Sequence, residues 1–360
     1  MLKKIFKIFL YLIALFFFIS IFLGFFIYKE IGISDPGLKR FGNLSYFDAK
    51  TGLFKSHINT DIALFDDLYS YVKFYFFTLN APRQPMPLIR KNKDDFSTKA
   101  ENLAFYWLGH SSVLAELKGL RVLIDPVFEN ASAFPFAMRR FAQPPIYQKD
   151  LPKLDIIIIT HNHYDHLEKK SIQTLFARHY IVPLGLKKTL AGWGVEEDKI
   201  TELGWGDESE ISGLTITAQS TIHYSGRSPF DKNKSLVNSY ILSFDDKKFF
   251  FGSDGGYGAH FAQIGQKYGP FELVFLGIDG WHTKRIGAHL HPAQVIKACK
   301  DLDAKALVPL HWGVFNSGRN WKEVIEILYQ NKKELKIIAP MMGERFEPSS
   351  STKPWWRYVK

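Results

Sequence analysis

The chain has 360 residues, a formal net charge of +10 and a single cysteine, Cys299. That length holds one large domain with an appendage, or two modest ones, and one cysteine excludes both an intramolecular disulfide and a thiolate-rich structural zinc site. The basic balance suits an anionic membrane surface or a nucleic acid and does not choose between them.

Residues 8–28 are apolar, rich in phenylalanine and free of charge. A helix of about 20 such residues spans the hydrocarbon layer of a bilayer, so residues 1–30 are expected to be a short stub and a transmembrane anchor. Lys3, Lys4 and Lys7 precede the run, whereas Lys29 and Glu30 cancel after it. The positive-inside bias then predicts a cytoplasmic N-terminus, with the bulk of the chain, 99–347 included, extracytoplasmic. A cleaved signal peptide is the rival reading, but the run is longer than an ordinary signal core and no A-x-A-like site follows it.

Residues 31–98 read as a linker, with no convincing strand before Asn102. One ordered element stands out: Ile62, Phe65, Tyr69, Val72, Phe76 and Leu79 fall at three- and four-residue spacing. This predicts an amphipathic helix over 61–79, packed on the main domain or lying in the lipid interface. The prolines of NAPRQPMP at 80–87 end it.

A compact domain is expected over 99–347. Strand-like runs occupy 103–108, 113–117 and 120–124, with His110 and Asp125 at strand ends. Residues 128–145 form an aromatic, proline-containing loop bearing Arg139 and Arg140, read either as the wall of a groove or as ordinary surface.

The most informative stretch is LDIIIITHNHYDHL at 154–167. Its four consecutive isoleucines suit a short strand buried on both faces, which delivers three histidines and an aspartate into one turn. In extended chain His161 and His163 project to the same side and can reach one cation. Asp165 and His166 follow as the chain turns and can face a second. Imidazole and carboxylate without thiolate is the ligand set of zinc, manganese or iron at an open site.

A helix over 168–178 and a strand over 180–183 continue a β-α-β order, which predicts a mixed α/β fold. Residues 214–221 alternate and finish at His223. The strand at 248–251 runs into GSDGG, whose glycines let the backbone bend sharply and bring Asp254 close to a metal centre. A strand at 273–278, a helix at 291–300 and a strand at 306–310 ending at His311 complete the domain. Residues 348–360 form a basic, aromatic tail.

Four apolar strands therefore end in candidate ligands, and strand ends on one sheet edge converge in space. Five histidines and two aspartates suit two divalent ions with one shared carboxylate. His161, His163 and His223 are assigned to one ion, Asp165, His166 and His311 to the other, and Asp254 to the bridge. His110 and Asp125 are expected to orient these ligands.

At this point the chain resembles the metallo-β-lactamase-fold hydrolases, whose signature is H-x-H-x-D-H followed by a distant His, Asp and His. Within them it is most similar to the N-acylphosphatidylethanolamine-hydrolysing phospholipase D group. The likeness rests on WLGHSSVLAEL from Trp107, DPVF from Asp125, HNHYDHL from His161, VPLGL from Val182, FFFGSDGGY from Phe249, YGPFEL from Tyr268 and HWG from His311. Gly252, Ser253 and Asp254 replace the family's A-G-D, and the N-terminal span is an addition. The resemblance implies a four-layer αβ/βα sandwich with a dinuclear site at one edge. It also implies hydrolysis of an N-acylated phospholipid to an N-acylethanolamine and phosphatidic acid. Two close divalent ions would acidify a shared water and offset phosphoryl charge, with Asp165 and Asp254 holding or accepting its proton. By similarity of position, His289 would contact the phosphate or protonate the leaving group.

Hydrolysis of a lactone or another carboxylic ester stands as the rival reading, since the related ascorbate-6-phosphate lactonase type shows how widely the fold is used. A non-catalytic metal-binding scaffold at the membrane is the alternative of another class, disfavoured by the intact set of seven ligands. The expected partners are a membrane lipid and the bilayer surface. No nucleic acid is expected, because the basic residues are not interleaved with aromatic ones along a stripe.

Overall fold

The computed structural model describes residues 2–32, 40–55, 81–97, 103–133, 137–228, 230–280, 287–316 and 320–360. The helix expected over 61–79 lies outside them. Helix α1 (Leu2–Ile31) contains a stretch, Lys3–Phe25, long and apolar enough to cross a membrane and not buried by the described residues. A signal sequence near the N-terminus would meet the same criterion of length and composition.

Strands β1 (Phe47–Asp48) and β2 (Leu53–Phe54) make a small hairpin. Strands β3 (Ala104–Gly109), β4 (Ser112–Leu117) and β5 (Leu120–Ile124) follow as an antiparallel meander. Then β6 (Leu154–Ile158), α2 (Lys169–Thr174), β7 (Ala177–Pro183), α3 (Lys187–Gly192) and β8 (Ile200–Leu203) extend the sheet with parallel strands.

A second sheet begins with the antiparallel run β9 (Glu208–Ile211), β10 (Leu214–Gln219), β11 (Ser239–Phe244) and β12 (Lys247–Phe251). After α4 (His260–Tyr268), it adds β13 (Leu273–Gly277), α5 (Pro292–Asp301) and β14 (Leu307–Leu310) in parallel. Helix α6 (Glu323–Asn331) precedes β15 (Arg345–Phe346), which returns to pair with β3. The sheet orders are β15-β3-β4-β5-β6-β7-β8 and β14-β13-β12-β11-β10-β9.

Strand periodicity explains how the layers stack. Phe105 and Trp107 of β3, Val113 and Ala115 of β4, and Ile156 and Ile158 of β6 share one core with Ile216, Phe249, Phe251 and Phe275 of the second sheet. The intervening residues Tyr106, Leu114 and Ile157 face the other way, onto Ile172 of α2 and Leu190 of α3. This alternation is what a strand buried on both faces requires. Between the sheets, Phe251 and Phe275 stack at 4.1 Å, whereas Phe250 turns outward to Phe261 of α4. The architecture is the four-layer αβ/βα sandwich.

Several elements differ from their sequence expectation. The helix over 168–178 stops at Thr174, because the residues after it are drawn into pairing with β6, where Ala177 opposes Leu154. Tertiary pairing overrides the helical pattern there. The basic, aromatic tail at 348–360 packs on the domain: Trp355 and Trp356 are buried against Trp312, at 5.7 Å each. Parts of the 31–98 stretch also pack. Phe41, Phe47 and Phe54 cluster with Leu236, and Ile89 N donates to Met342 O at 2.8 Å.

Candidate metal centre

The residues singled out in sequence meet beyond the C-terminal ends of β3, β5, β6, β10, β12 and β14. Among the described residues three groups of ligand atoms form, one from His161, His163, His223 and Asp254, one from His110, Asp165, His166 and His311, and a third from Asp254, His289 and His311, with all atoms of a group within 4.8 Å of one another. Asp254 reaches across both. Its Oδ2 lies 3.1 Å from His311 Nε2, 3.2 Å from His166 Nε2 and 3.9 Å from His223 Nε2. In the first group, His163 Nδ1 lies 2.9 Å from His161 Nε2 and 3.3 Å from His223 Nε2, so three ring nitrogens converge on one point.

The opposite edges of these rings are held by the chain. His166 Nδ1 meets Asp125 Oδ2 at 2.8 Å, and Asp125 also accepts from Thr160 N at 2.8 Å and Thr160 Oγ1 at 2.6 Å. His223 Nδ1 donates to Ala288 O at 2.9 Å. His161 Nδ1 sits beside Thr160 Oγ1 at 3.0 Å. Such contacts fix each tautomer and turn the remaining nitrogen inward. Asp125 thus links His166 to Thr160 on the side of the ring away from Asp254. His110 is closer in than expected: its Nε2 is 3.0 Å from Asp165 Oδ2 and its ring packs 4.0 Å from that of His311.

Burial gives the site its charge pattern. It pushes His163 down to about 3, His223 to about 4 and His161 well below the ordinary range, which leaves neutral rings with lone pairs to donate. The same burial would raise Asp254, but the neighbouring His311, His166 and His289 outweigh it and keep the carboxylate ionised. Asp165 is likewise held ionised against burial, chiefly by His166. Between these carboxylates, and against the desolvation of their own rings, His311 is raised to about 10 and His166 well above its usual value. The pocket demands positive charge at its centre.

Divalent cations fit that demand. His166 Nε2, His311 Nε2 and Asp254 Oδ1 are buried and make no directed hydrogen bond, an arrangement that calls for an explanation in a folded protein. A donor set of neutral imidazoles and carboxylates supplies one.

Backbone strain gathers here. His110, Asp125, Ser253 and His311 have φ of 52°, 44°, 57° and 62°, the left-handed region that non-glycine residues rarely adopt. The glycines around Asp254 work otherwise than expected. The bend falls on Ser253, while a Cβ at Gly252 would sit 2.4 Å from Leu276 Cδ2 and one at Gly256 only 1.8 Å from Gly287 O. They admit close neighbours rather than turn the chain.

His289 lies beside the centre, with Nδ1 3.8 Å from Asp254 Oδ2 and its ring 5.1 Å from those of His223 and His311. Arg140 lines no groove: it donates to the carbonyls of Ala142, Val127 and Leu108. Sequence reasoning missed Tyr224, whose ring packs 4.8 Å from His163, and Arg227, whose Nη1 donates to Asn162 O at 3.1 Å and Leu167 O at 2.7 Å. The position of Tyr224 next to His223 was the available signal for the first; nothing in spacing marked the second.

Comparison with known proteins adds an independent finding. The family model for the beta-lactamase superfamily domain matches residues 120–312. An uncharacterized protein of Mycobacterium tuberculosis is 33% identical over 289 residues, 77% of this chain and 77% of that one. The N-acyl-phosphatidylethanolamine-hydrolyzing phospholipase D 1 of Caenorhabditis elegans is 30% identical over 288 residues, 73% of this chain and 81% of its own. Among solved structures, a metallo hydrolase of the archaeon Ignicoccus hospitalis superposes with a TM-score of 0.54 at 22% identity, covering 68% of this chain and 98% of that one. At that identity it speaks for the fold alone.

Proposed function

Since the chain belongs to the metallo-β-lactamase superfamily and is a metal-dependent hydrolase, we propose that it is a membrane-anchored phosphodiesterase of phospholipase D type, acting on N-acylphosphatidylethanolamine or a lipid of that kind. The observation that carries this reading is the Caenorhabditis elegans relative, named for that reaction and matched over 81% of its length. Helix α1, read as a membrane anchor with the N-terminus cytoplasmic, would keep the domain beside such a substrate.

The residues divide the work by position. His161, His163, His223 and Asp254 would hold one divalent ion, and Asp165, His166 and His311 the other, with Asp254 shared. Two such ions, when bound, would supply an acidified water and offset charge on a phosphoryl oxygen. Asp165 and Asp254, kept ionised, can take the proton of the attacking water. Its oxygen joins phosphorus, the bond from phosphorus to the ethanolamine oxygen breaks, and that oxygen takes up a proton. The products are an N-acylethanolamine and phosphatidic acid. His289, held neutral chiefly by its burial, would contribute by hydrogen bonding to the phosphate.

The test is release of N-acylethanolamine from vesicles containing N-acylphosphatidylethanolamine, abolished by a chelator and restored by zinc, manganese or iron. Hydrolysis of a lactone or a soluble ester with none on vesicles would replace the lipid reading with a small-substrate one. No turnover on any of these would leave a metal-binding scaffold.

A further inference from the structure

The point where the anchor meets the domain is defined. Gly32 follows α1 with φ of +78°, and a Cβ there would sit 2.6 Å from Thr189 Cγ2 and 2.9 Å from Trp193 Cζ2. The chain therefore leaves α1 packed on α3 and the tryptophan that follows it. From Trp193 a continuous set of contacts runs to the metal-binding turn. The Arg227 guanidinium lies 5.3 Å from the Trp193 ring centre and 3.8 Å from that of Tyr164, and Tyr164 stands between the candidate ligands His163 and Asp165.

The loop over 225–235, which carries Arg227, is bound to that same turn. Gly226 N donates to Asn162 Oδ1 at 2.7 Å, Arg227 Nη1 to the carbonyls of Asn162 and Leu167, and Tyr164 Oη to Arg227 O at 3.1 Å. The base of the loop rests on the residues that lead into α3: Leu236 N donates to Leu184 O at 2.8 Å, and a Cβ at Gly185 would lie 2.7 Å from Lys234 O. At its tip is Phe230, 83% exposed. On the turn that this loop holds, His163 and Asp165 are partly exposed, as is His289, whereas His161, His166, His223 and Asp254 are buried, so the site reaches the surface beside the loop.

The elements of this face are rich in lysine. Lys187 and Lys188 open α3, and Lys232 and Lys234 lie in the loop. The neighbouring carboxylates are occupied: Asp231 accepts from Arg227 N and from Ser228, and Glu202 accepts from the backbone of Gly185 and Lys187 and pairs with Arg40. Lysines around an exposed aromatic tip suit an anionic headgroup layer with acyl chains beneath it.

We propose that the face formed by the start of α3 and the loop over 225–235 lies on the bilayer that α1 spans, with Phe230 inserted at the acyl boundary, so that the mouth at His163 and Asp165 opens on the membrane surface. The inference rests on reading α1 as a span and is independent of which lipid is cut. Phe176 supplies an internal comparison. It is also 83% exposed, but it precedes β7, whose other end, Pro183, leads to the loop base. A seven-residue strand puts the two ends roughly 20 Å apart.

The full chain carrying Phe230→Cys or Phe176→Cys would be labelled with an environment-sensitive fluorophore, Cys299 being buried. Each would be reconstituted in vesicles of phosphatidylcholine and phosphatidylglycerol, with and without nitroxide-bearing acyl chains. The label at position 230 should lose most of its emission to the nitroxide lipid and resist aqueous iodide; the label at 176 should do the reverse. Equal behaviour of the two, or iodide access at 230, overturns the docked face. A label at 230 shielded from iodide yet untouched by nitroxide would mean that a second copy of the chain covers this face, which also overturns it. Co-flotation with the vesicles reads the anchor separately: a chain that floats with label 230 in water refutes the docked face alone, and a chain that does not float refutes both.

Discussion

Replacing Asp125 with asparagine should weaken metal binding without unfolding the protein. The carboxylate accepts the Thr160 amide and hydroxyl and the His166 Nδ1 proton, and does so from a backbone at φ of 44°, a conformation that asparagine also tolerates. The amide retains one acceptor oxygen for Thr160 N. Its NH2 group then faces His166 Nδ1, so two donors meet. Relief comes only if the ring shifts its proton to Nε2, the nitrogen that faces Asp254. One hydrogen bond to a charged group contributes about 1.5–3 kcal/mol, and loss of a ligand-orienting partner costs about 10- to 100-fold in metal affinity, or roughly 1.4–2.8 kcal/mol. The two ranges coincide. Competition against a zinc-binding dye measures the affinity, and a thermal melt of the metal-free protein checks that the fold survives. An affinity within about twofold of the parent, with the fold intact, would refute the reasoning.

Trp356→Ala should cost about 3–5 kcal/mol, because the indole is fully buried against Trp312 and Tyr329 and its Nε1 donates to Glu326 Oε1 at 2.6 Å. Urea unfolding measures this, and a loss below about 1 kcal/mol would mean that the tail does not dock. Cys299 is buried, which pushes its thiol up; it should resist iodoacetamide at neutral pH and react only on unfolding, so stoichiometric labelling of the native chain would contradict its placement. Gly256→Ala drives a Cβ into the Gly287 carbonyl and should destabilise by about 1–3 kcal/mol; an unchanged melting temperature would show that the approach is looser than described.

Legibility in the sequence followed the strength of local signals. The isoleucine run of β6 admits few readings, since β-branched residues without a polar face belong in a doubly covered strand. Its turn was legible for the same reason: four ligand-type side chains at one strand end have few bland explanations. His223, Asp254 and His311 were recoverable because each also follows an apolar strand. Strand β9 was not, because Glu208–Ile211 is an edge strand with no buried residue in its four. The run over 168–178 carries a helical pattern that holds only until Thr174, and no local signal says that Ala177 will be claimed by β6. The docking of the tail was not legible, because its tryptophans stand among basic residues and no local signal says that Arg357 will pair with Glu326 and leave Trp356 inside. Arg227 was invisible for a related reason: its contacts are to carbonyls and ring faces some 60 residues away in the chain.

Metal analysis of the full-length protein, purified without chelator, bears most directly on the claim that seven side chains gather around a pair of cations. The account predicts two equivalents of a first-row divalent ion per chain, with occupancy lost in Asp254→Asn and hydrolysis lost alongside. A protein that holds no stoichiometric metal, or that retains both equivalents when Asp254 is replaced, would contradict it.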